Sequence, residues 1–86
     1  MLIRWSKHAK QRFAERAAKH GLNYGEIELA VKKQEVKVAE GKNRFKTIFK
    51  VQGEILTAVK IETKKFIHVL TLWEANEKEV EKWRRK

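Results

Sequence analysis

The sequence predicts a single α+β domain over residues 1–86, with the element order β-α-α-β-β-β-β-α. Residues 6–34 place apolar side chains at helical spacing and carry capping residues at the helix ends. Residues 35–73 instead alternate polar and apolar side chains between turn residues. We therefore expect an antiparallel sheet with a helix hairpin packed on one face, around the modest core that a chain of 86 residues can bury.

The first helix is predicted to follow a short apolar segment, residues 1–5, that we expect to form an edge strand. It begins at Ser6, a good N-cap, and ends at Gly21, a good helix terminator. Three of its apolar side chains share one stripe, which predicts the buried face: Ala9, Phe13 and Ala17. Ala14 lies on the flank of that stripe.

A second helix is predicted from Asn23, which has a capping-box partner at Glu26, to about Gln34. Because the connection is so short, the two helices must form a hairpin. The strands that follow are predicted from their alternation and turns: one from Val36, then 44–51, 54–62 and 66–73. Strand 54–62 is apolar on both faces, which predicts a central position. A last helix is predicted from Asn76, at an edge or over the other face.

The charge balance points to a polyanionic partner. Lys and Arg total 21 against 11 acidic residues, all of them Glu, for a net charge of +10. A basic domain of this size usually meets nucleic acid, more often than a membrane. The absence of cysteine excludes disulfides and cysteine metal sites, and the Lys/Glu bias leans toward a thermophilic source. With no apolar run of membrane-spanning length and no signal peptide, we expect a cytoplasmic protein.

A basic stripe runs beside the apolar stripe of the first helix. His8 lies near the helix start, where the dipole and the cations Arg4 and Lys7 disfavour an imidazolium. A neutral imidazole can act as a general base, and Arg12 and Arg16 could brace a phosphate. The alternative is an ordinary surface histidine on a solvated helix face.

The third strand carries three basic side chains on one face, Arg44, Lys46 and Lys50. These side chains could form the wall of a nucleic-acid groove, or they could simply keep the sheet soluble. The lysines expected to bind nucleic acid are Lys7, Lys46, Lys50 and Lys60.

The remaining aromatic and histidine residues are expected to be structural. His68 has apolar neighbours along its strand, which favours a core histidine over a catalyst. The histidines lack metal-ligand spacing, so we expect no metal site and no cofactor. Trp5, Trp73 and Trp83 could stack bases, but Trp73 and Trp83 are expected to hold the last helix to the sheet.

The run Ser6-Lys7-His8-Ala9, followed by Arg12 and Arg16, a helix hairpin and a strand meander, resembles the RelE-type toxin superfamily. It is more similar still to a small RelE-like family with an HA, Arg, Arg helix motif. The chain departs from that motif at residues 17–20, which add about one helical turn before the glycine. It also offers Thr71 and Trp73 where RelE-type enzymes often have a tyrosine or a basic residue.

The resemblance implies the toxin of a toxin–antitoxin pair that cleaves mRNA, in RelE-type proteins on the ribosome, without a metal. A base takes the ribose 2′-hydroxyl proton, and the oxygen attacks the adjacent phosphate. By this resemblance His8 is the base, and Arg12 and Arg16 are phosphate clamps. We further hypothesise that Arg44 lies near the first helix and acts as a third clamp. Two alternatives stay open: a non-catalytic module that binds nucleic acid or the ribosome, and an interaction protein that accepts a partner's strand or helix.

Overall fold

The computed structural model describes residues 2–33 and 35–86, apart from the side chains of residues 17–19. The strands are β1 (Leu2–Trp5), β2 (Val36–Gly41), β3 (Arg44–Val51), β4 (Glu54–Glu62) and β5 (Phe66–Glu74), and the helices are α1 (Lys7–His20), α2 (Tyr24–Lys33) and α3 (Glu77–Arg84). The predicted element order is confirmed. The predicted burial of Ala17 and the predicted helix end at Gln34 lie outside the described part of the chain.

The five strands form one sheet in the order β1-β5-β4-β3-β2. Strands β2 to β5 are an antiparallel meander, and β1 pairs in parallel with β5 at the edge. The predicted central position of β4 and edge position of β1 are both confirmed. Gln52 and Gly53, with φ of 48° and 81°, form the two-residue turn between β3 and β4.

The helix hairpin covers one face of the sheet, with α1 against β5 and α2 against β3. The core lies between them and includes Phe13, Ile27, Phe49 and Leu72. Helix α3 also contacts β3, but it does so through Lys46, whose side chain points away from the Phe49 face. It therefore lies over the opposite face, one of the two predicted positions.

Each helix begins at the residue that the sequence predicts. The Ser6 hydroxyl accepts a hydrogen bond from the Ala9 amide at 3.0 Å, and the Asn76 side chain accepts one from the Glu79 amide at 2.9 Å. At the start of α2 the Asn23 side chain accepts from the Glu26 amide at 2.9 Å. These caps satisfy amide groups that have no partner inside a helix. None of the described helices is long and apolar enough to cross a bilayer.

The two late tryptophans hold α3 against the sheet, as predicted. The Trp73 indole N–H donates to Glu79 at 3.0 Å, and the Trp83 ring lies 5.6 Å from the Lys50 ammonium. Trp5, the third tryptophan, packs edge-on against Phe13 and Tyr24 beside the core. In this position Trp5 is a packing residue, not a free platform for a base.

Candidate active site and nucleic-acid interface

The basic stripe of α1 changes character along its length. His8 is exposed in the first turn, and Arg12 pairs with Glu15 at 3.6 Å on the surface. Arg16 instead reaches across to β5, where its Nη1 lies 3.1 Å from Glu74. Because α-helical residues rise about 1.5 Å each, His8 and Arg16 are separated by about 12 Å along the axis. The N-terminal part of the stripe is therefore exposed to solvent, whereas its C-terminal part, which we call the tied end, contacts the sheet.

Four titratable side chains meet at the tied end, and we call them the acid–base cluster: Arg16, His20, Glu54 and Glu74. The His20 ring lies between two carboxylates, with Nδ1 at 3.4 Å from Glu54 and Nε2 at 3.4 Å from Glu74. The side chains of Arg16 and His20 are 22% and 17% exposed, and those of Glu54 and Glu74 are 37% and 42% exposed. The cluster is packed enough to hold its geometry and open enough to admit a substrate.

Three separate elements build this cluster. His20 is the last residue of α1, Glu54 is the first residue of β4, and Glu74 is the last residue of β5. Strands β4 and β5 are antiparallel neighbours, with Leu56 opposite Glu74, so these two strand ends lie side by side. Gly21, with φ of 68°, ends α1 directly after His20.

The cluster holds the groups that general acid–base chemistry on a phosphodiester requires. A carboxylate can accept a proton, a protonated imidazole can donate one, and a guanidinium can bind the phosphate oxygens. The Arg16 Nε is buried and has no hydrogen-bond partner among the described residues, so one donor of this guanidinium is unused. The described residues contain no group of three or more histidines and carboxylates arranged to hold a metal ion.

Sequence reasoning stopped the basic stripe at Arg16 and so missed His20. The signal was present, because His20 continues the four-residue spacing of His8, Arg12 and Arg16. Glu54 and Glu74 carry no such signal. They belong to the cluster only because the fold brings two strand ends beside the end of α1.

The lysines of β3 lie beneath or beside α3. The Lys46 ammonium is 3.3 Å from Glu79, whose side chain is 5% exposed. Lys50 is exposed and flanks the Trp83 ring. Burial raises the pKa of Glu79, but hydrogen bonds from the Asn76 amide, Trp73 and other donors outweigh it and hold the pKa below the usual value. Lys46 is thus committed to an ion pair, whereas Lys50 remains accessible.

The prediction that Lys60 contacts nucleic acid is wrong for this structure. Its side chain is 0% exposed and lies on the helix-hairpin face with Ala58. The ammonium pairs with Glu62 at 2.8 Å and donates to the Val31 carbonyl at 3.2 Å. Burial lowers the pKa of Lys60, and the hydrogen bond with Glu62 partly offsets this. No phosphate can reach this ammonium while the core is closed.

Arg44 lies on the opposite face of the sheet from α1. Four residues lie side by side across the strands in one row: Arg44 of β3, Ile61 of β4, His68 of β5 and Arg4 of β1. Residues opposite one another across strands point to the same face. We call Arg4, His68 and Arg44 the basic row; in it both arginines are exposed and His68 is half-buried.

The expectation that His68 is a core residue is therefore corrected. A bulge between β4 and β5 places Val59 opposite Thr71 and Lys60 opposite Val69, so that Leu70 is an extra residue. The bulge shifts the alternation, and Leu72 joins the helix-hairpin core while His68 faces the other side. The apolar neighbours that suggested a core position for His68 do not all share its face.

No protein-family model and no curated protein matches this sequence. Among solved structures, the fold is similar to that of BrnT, the ribonuclease toxin of Brucella abortus. The two chains are 18% identical, the alignment covers 90% of this chain and 99% of that one, and the TM-score is 0.57. At this level of identity the likeness concerns the fold. The sheet and helices that assemble the acid–base cluster and the basic row thus belong to a fold that this chain shares with BrnT.

Proposed function

We propose that this protein is the toxin of a toxin–antitoxin pair, a RelE-like, metal-independent endoribonuclease that cleaves mRNA. The observation that carries the proposal is the acid–base cluster, where an imidazole, a guanidinium and two carboxylates meet. The fold shared with a ribonuclease toxin and the net charge of +10 support it. Its substrate would be mRNA in the cytoplasm, free or on the ribosome, and an antitoxin protein would hold it inactive.

The cluster suggests a division of roles. Glu54 accepts the proton of the ribose 2′-hydroxyl, and the 2′-oxygen attacks the adjacent phosphorus. Protonated His20 donates its proton to the leaving 5′-oxygen, which gives a 2′,3′-cyclic phosphate and a 5′-hydroxyl. Arg16 stabilises the charge that develops on the phosphoryl oxygens. Glu74 orients both His20 and Arg16, with which it is already in contact.

The competing assignment makes His8 the base, with Arg12 and Arg16 as clamps, as the RelE-type resemblance implies. His8 is exposed in the first turn of α1, where an RNA substrate could reach it. In this assignment Arg44 cannot complete the same phosphate site, since it lies on the other face of the sheet. The two histidines are about 18 Å apart along the helix axis, so single variants distinguish them.

The test incubates purified protein with mRNA, free and on programmed ribosomes, in the presence of EDTA. We expect His20→Ala and Glu54→Gln each to slow cleavage by about 100-fold or more, the usual contribution of a general acid or base. His8→Ala should stay within a few-fold of the wild type, and Glu15→Gln, which removes an exposed carboxylate of α1, should be silent. Thermal unfolding by circular dichroism checks that each variant is folded.

Each other outcome points elsewhere. Cleavage that is abolished by His8→Ala and unaffected by His20→Ala would assign the base to His8 and leave the cluster a structural role. Loss of cleavage in the presence of EDTA would contradict the proposal that the reaction needs no metal ion.

The second candidate function is a non-catalytic module that binds nucleic acid or the ribosome. The basic row favours it, because exposed arginines there flank a histidine on a sheet face without needing any acid–base partner. Salt-sensitive RNA binding with no cleavage in either setting would support this candidate over the first.

A further inference from the structure

We infer that the basic row and the two turns beside it form a second RNA-binding surface, separate from the acid–base cluster, that holds a single-stranded segment. The surface consists of five cations around His68 and Phe66: Arg4, Arg44, Lys42, Lys64 and Lys65. It rests on the proposed function only in taking RNA as the polyanion.

The sheet itself spaces the arginines. Neighbouring strands lie about 4.8 Å apart, so Arg4 and Arg44, three strands apart in one register row, are separated by about 14 Å at their backbones. His68 lies between them, next to Arg4. All three side chains point to the same face, beside the part of it that α3 contacts on β3. This width suits a nucleic-acid backbone that crosses the strands.

The turn lysines extend the row beyond the strand ends. Lys42 lies in the β2–β3 turn, and Lys64 and Lys65 lie in the β4–β5 turn. The two turns are adjacent, because the Glu62 amide donates to the Asn43 carbonyl at 2.8 Å. All three lysines are exposed, so five positive charges gather at one end of the sheet.

These cations differ from the lysines and arginines that structure the fold. Arg16, Lys37, Lys46 and Lys60 are each within 4 Å of a carboxylate. None of the five surface cations has a carboxylate at salt-bridge distance among the described side chains. Like charges gathered without counter-charges repel one another, and a bound polyanion relieves that repulsion by replacing counterions.

A stacking platform sits within the surface. The Arg4 guanidinium carbon lies 4.6 Å above the centre of the Phe66 ring, and His68 meets the same ring edge-on at 6.3 Å. Unpaired bases stack on aromatic rings and on guanidinium planes. A guanidinium supported by a ring beneath it is already placed for a base, which favours single-stranded RNA over a duplex whose bases are occupied.

The surface is remote from the acid–base cluster. Glu54 begins β4 and Ile61, in the basic row, lies seven positions further along the same strand, a distance of about 23 Å. The acid–base cluster includes residues of α1 and lies on the α1 side of the sheet, whereas the basic row lies on the opposite face of the sheet. RNA bound here is therefore held well outside the bond that the cluster would cleave.

The test measures binding without cleavage, using a fluorescently labelled 2′-O-methyl oligoadenylate of about twelve nucleotides, which cannot undergo 2′-hydroxyl attack. We expect the double variant Arg4→Gln/Arg44→Gln to lower affinity by roughly 25-fold at 0.1 M salt and to reduce the slope of log K against log salt by about 1.4, the effect of two lost phosphate contacts. Lys10→Gln/Lys32→Gln removes the same charge from exposed positions on α1 and α2 and should change affinity far less. Arg4→Lys keeps the charge but loses the planar guanidinium, and should weaken binding at least about fivefold with an unchanged salt slope.

Equal losses in the two double variants would overturn the inference, as would wild-type affinity in Arg4→Gln/Arg44→Gln. So would a polyglutamate peptide that competes for the surface as tightly as the oligonucleotide, since it would assign the surface to an acidic protein segment. Because the probe cannot be cleaved, binding by His20→Ala tests the surface even if the endoribonuclease proposal fails.

Discussion

Removal of the Glu79 carboxylate should loosen α3 from the sheet while leaving the rest of the fold intact. One carboxylate oxygen, Oε1, accepts from the Trp73 indole at 3.0 Å and from the Asn76 amide at 2.9 Å. The other, Oε2, faces the Lys46 ammonium at 3.3 Å. Glu79 thus joins the cap of α3, a strand of the sheet and a tryptophan through a single side chain.

The magnitude follows from what each substitution leaves unpaired. Glu79→Ala orphans two partly buried donors, at about 1–2 kcal/mol each, and leaves Lys46 without its partner. We expect a total loss of about 3 kcal/mol in the free energy of unfolding. Glu79→Gln can keep one carbonyl oxygen at the Oε1 position, so it should retain both hydrogen bonds in a weaker, uncharged form. It loses the ion pair and turns its amide NH2 toward Lys46, so we expect a loss of about 1–2 kcal/mol.

Urea unfolding followed by tryptophan fluorescence measures these differences, and Glu77→Ala is the matched control. Glu77 is exposed in the same first turn of α3, so its removal should cost no more than about 0.5 kcal/mol. Equal stabilities of Glu79→Ala and Glu77→Ala would refute the reasoning, because the buried contacts would then contribute nothing.

The same carboxylate predicts a pH dependence. The pKa of Glu79 is lower in the folded protein than its ordinary value of 4.5, because the hydrogen bonds outweigh the effect of burial. Its stabilising contribution is therefore fully present above that ordinary value and is lost as the pH falls through the lower folded pKa. Glu79→Gln should lose this part of the acid sensitivity, so its stability curve should approach that of the wild type at low pH.

Two further substitutions test other parts of the fold. Lys60→Met should be at least as stable as the wild type to within about 1 kcal/mol, because it removes a buried charge while Glu62 keeps Lys37 as a partner at 2.9 Å. Lys60→Ala should be at least about 2 kcal/mol less stable than Lys60→Met, because it leaves a cavity. Thermal unfolding that ranks these two variants in the opposite order would contradict the prediction. Gly53→Ala should lower the free energy of unfolding by about 1–2 kcal/mol because an alanine is strained at a φ of 81°, even though no atom lies within 4 Å of the added methyl group. Gly41→Ala is the control: Gly41 has no such φ, so its substitution should leave the free energy of unfolding nearly unchanged.

The elements were predictable because local chemistry marks their ends. The turn at Gln52 and Gly53 and the alternation on either side predict β3 and β4 with the bounds that the structure has. The caps at Ser6, Asn23 and Asn76 likewise predict where the three helices begin. In each case a residue a few positions away supplies the partner, so a short window of sequence contains the whole interaction.

The sites were less predictable because their partners are distant in sequence. Lys60 is an exception: it shares one face of β4 with Leu56 and Ala58, so its burial could have been inferred from the alternation alone. The bulge that turns His68 away from Leu72 leaves no local mark, since it depends on how two strands pair. The parallel pairing of β1 with β5 likewise joins residues more than sixty positions apart.

The α1 stripe shows why periodicity finds surfaces more readily than sites. Each step of four residues advances about 6 Å and turns about 40°, so side chains on such a stripe diverge and cannot all meet one phosphate. Convergence requires a second element, and α1 acquires one at its C-terminal end, where Glu54 and Glu74 approach His20. The arginine nearest that end, Arg16, joins the cluster, whereas Arg12 pairs with Glu15 of its own helix. A search for catalytic groups along a helix of this kind should therefore begin where the helix meets the ends of strands, and here that reasoning selects His20 over His8.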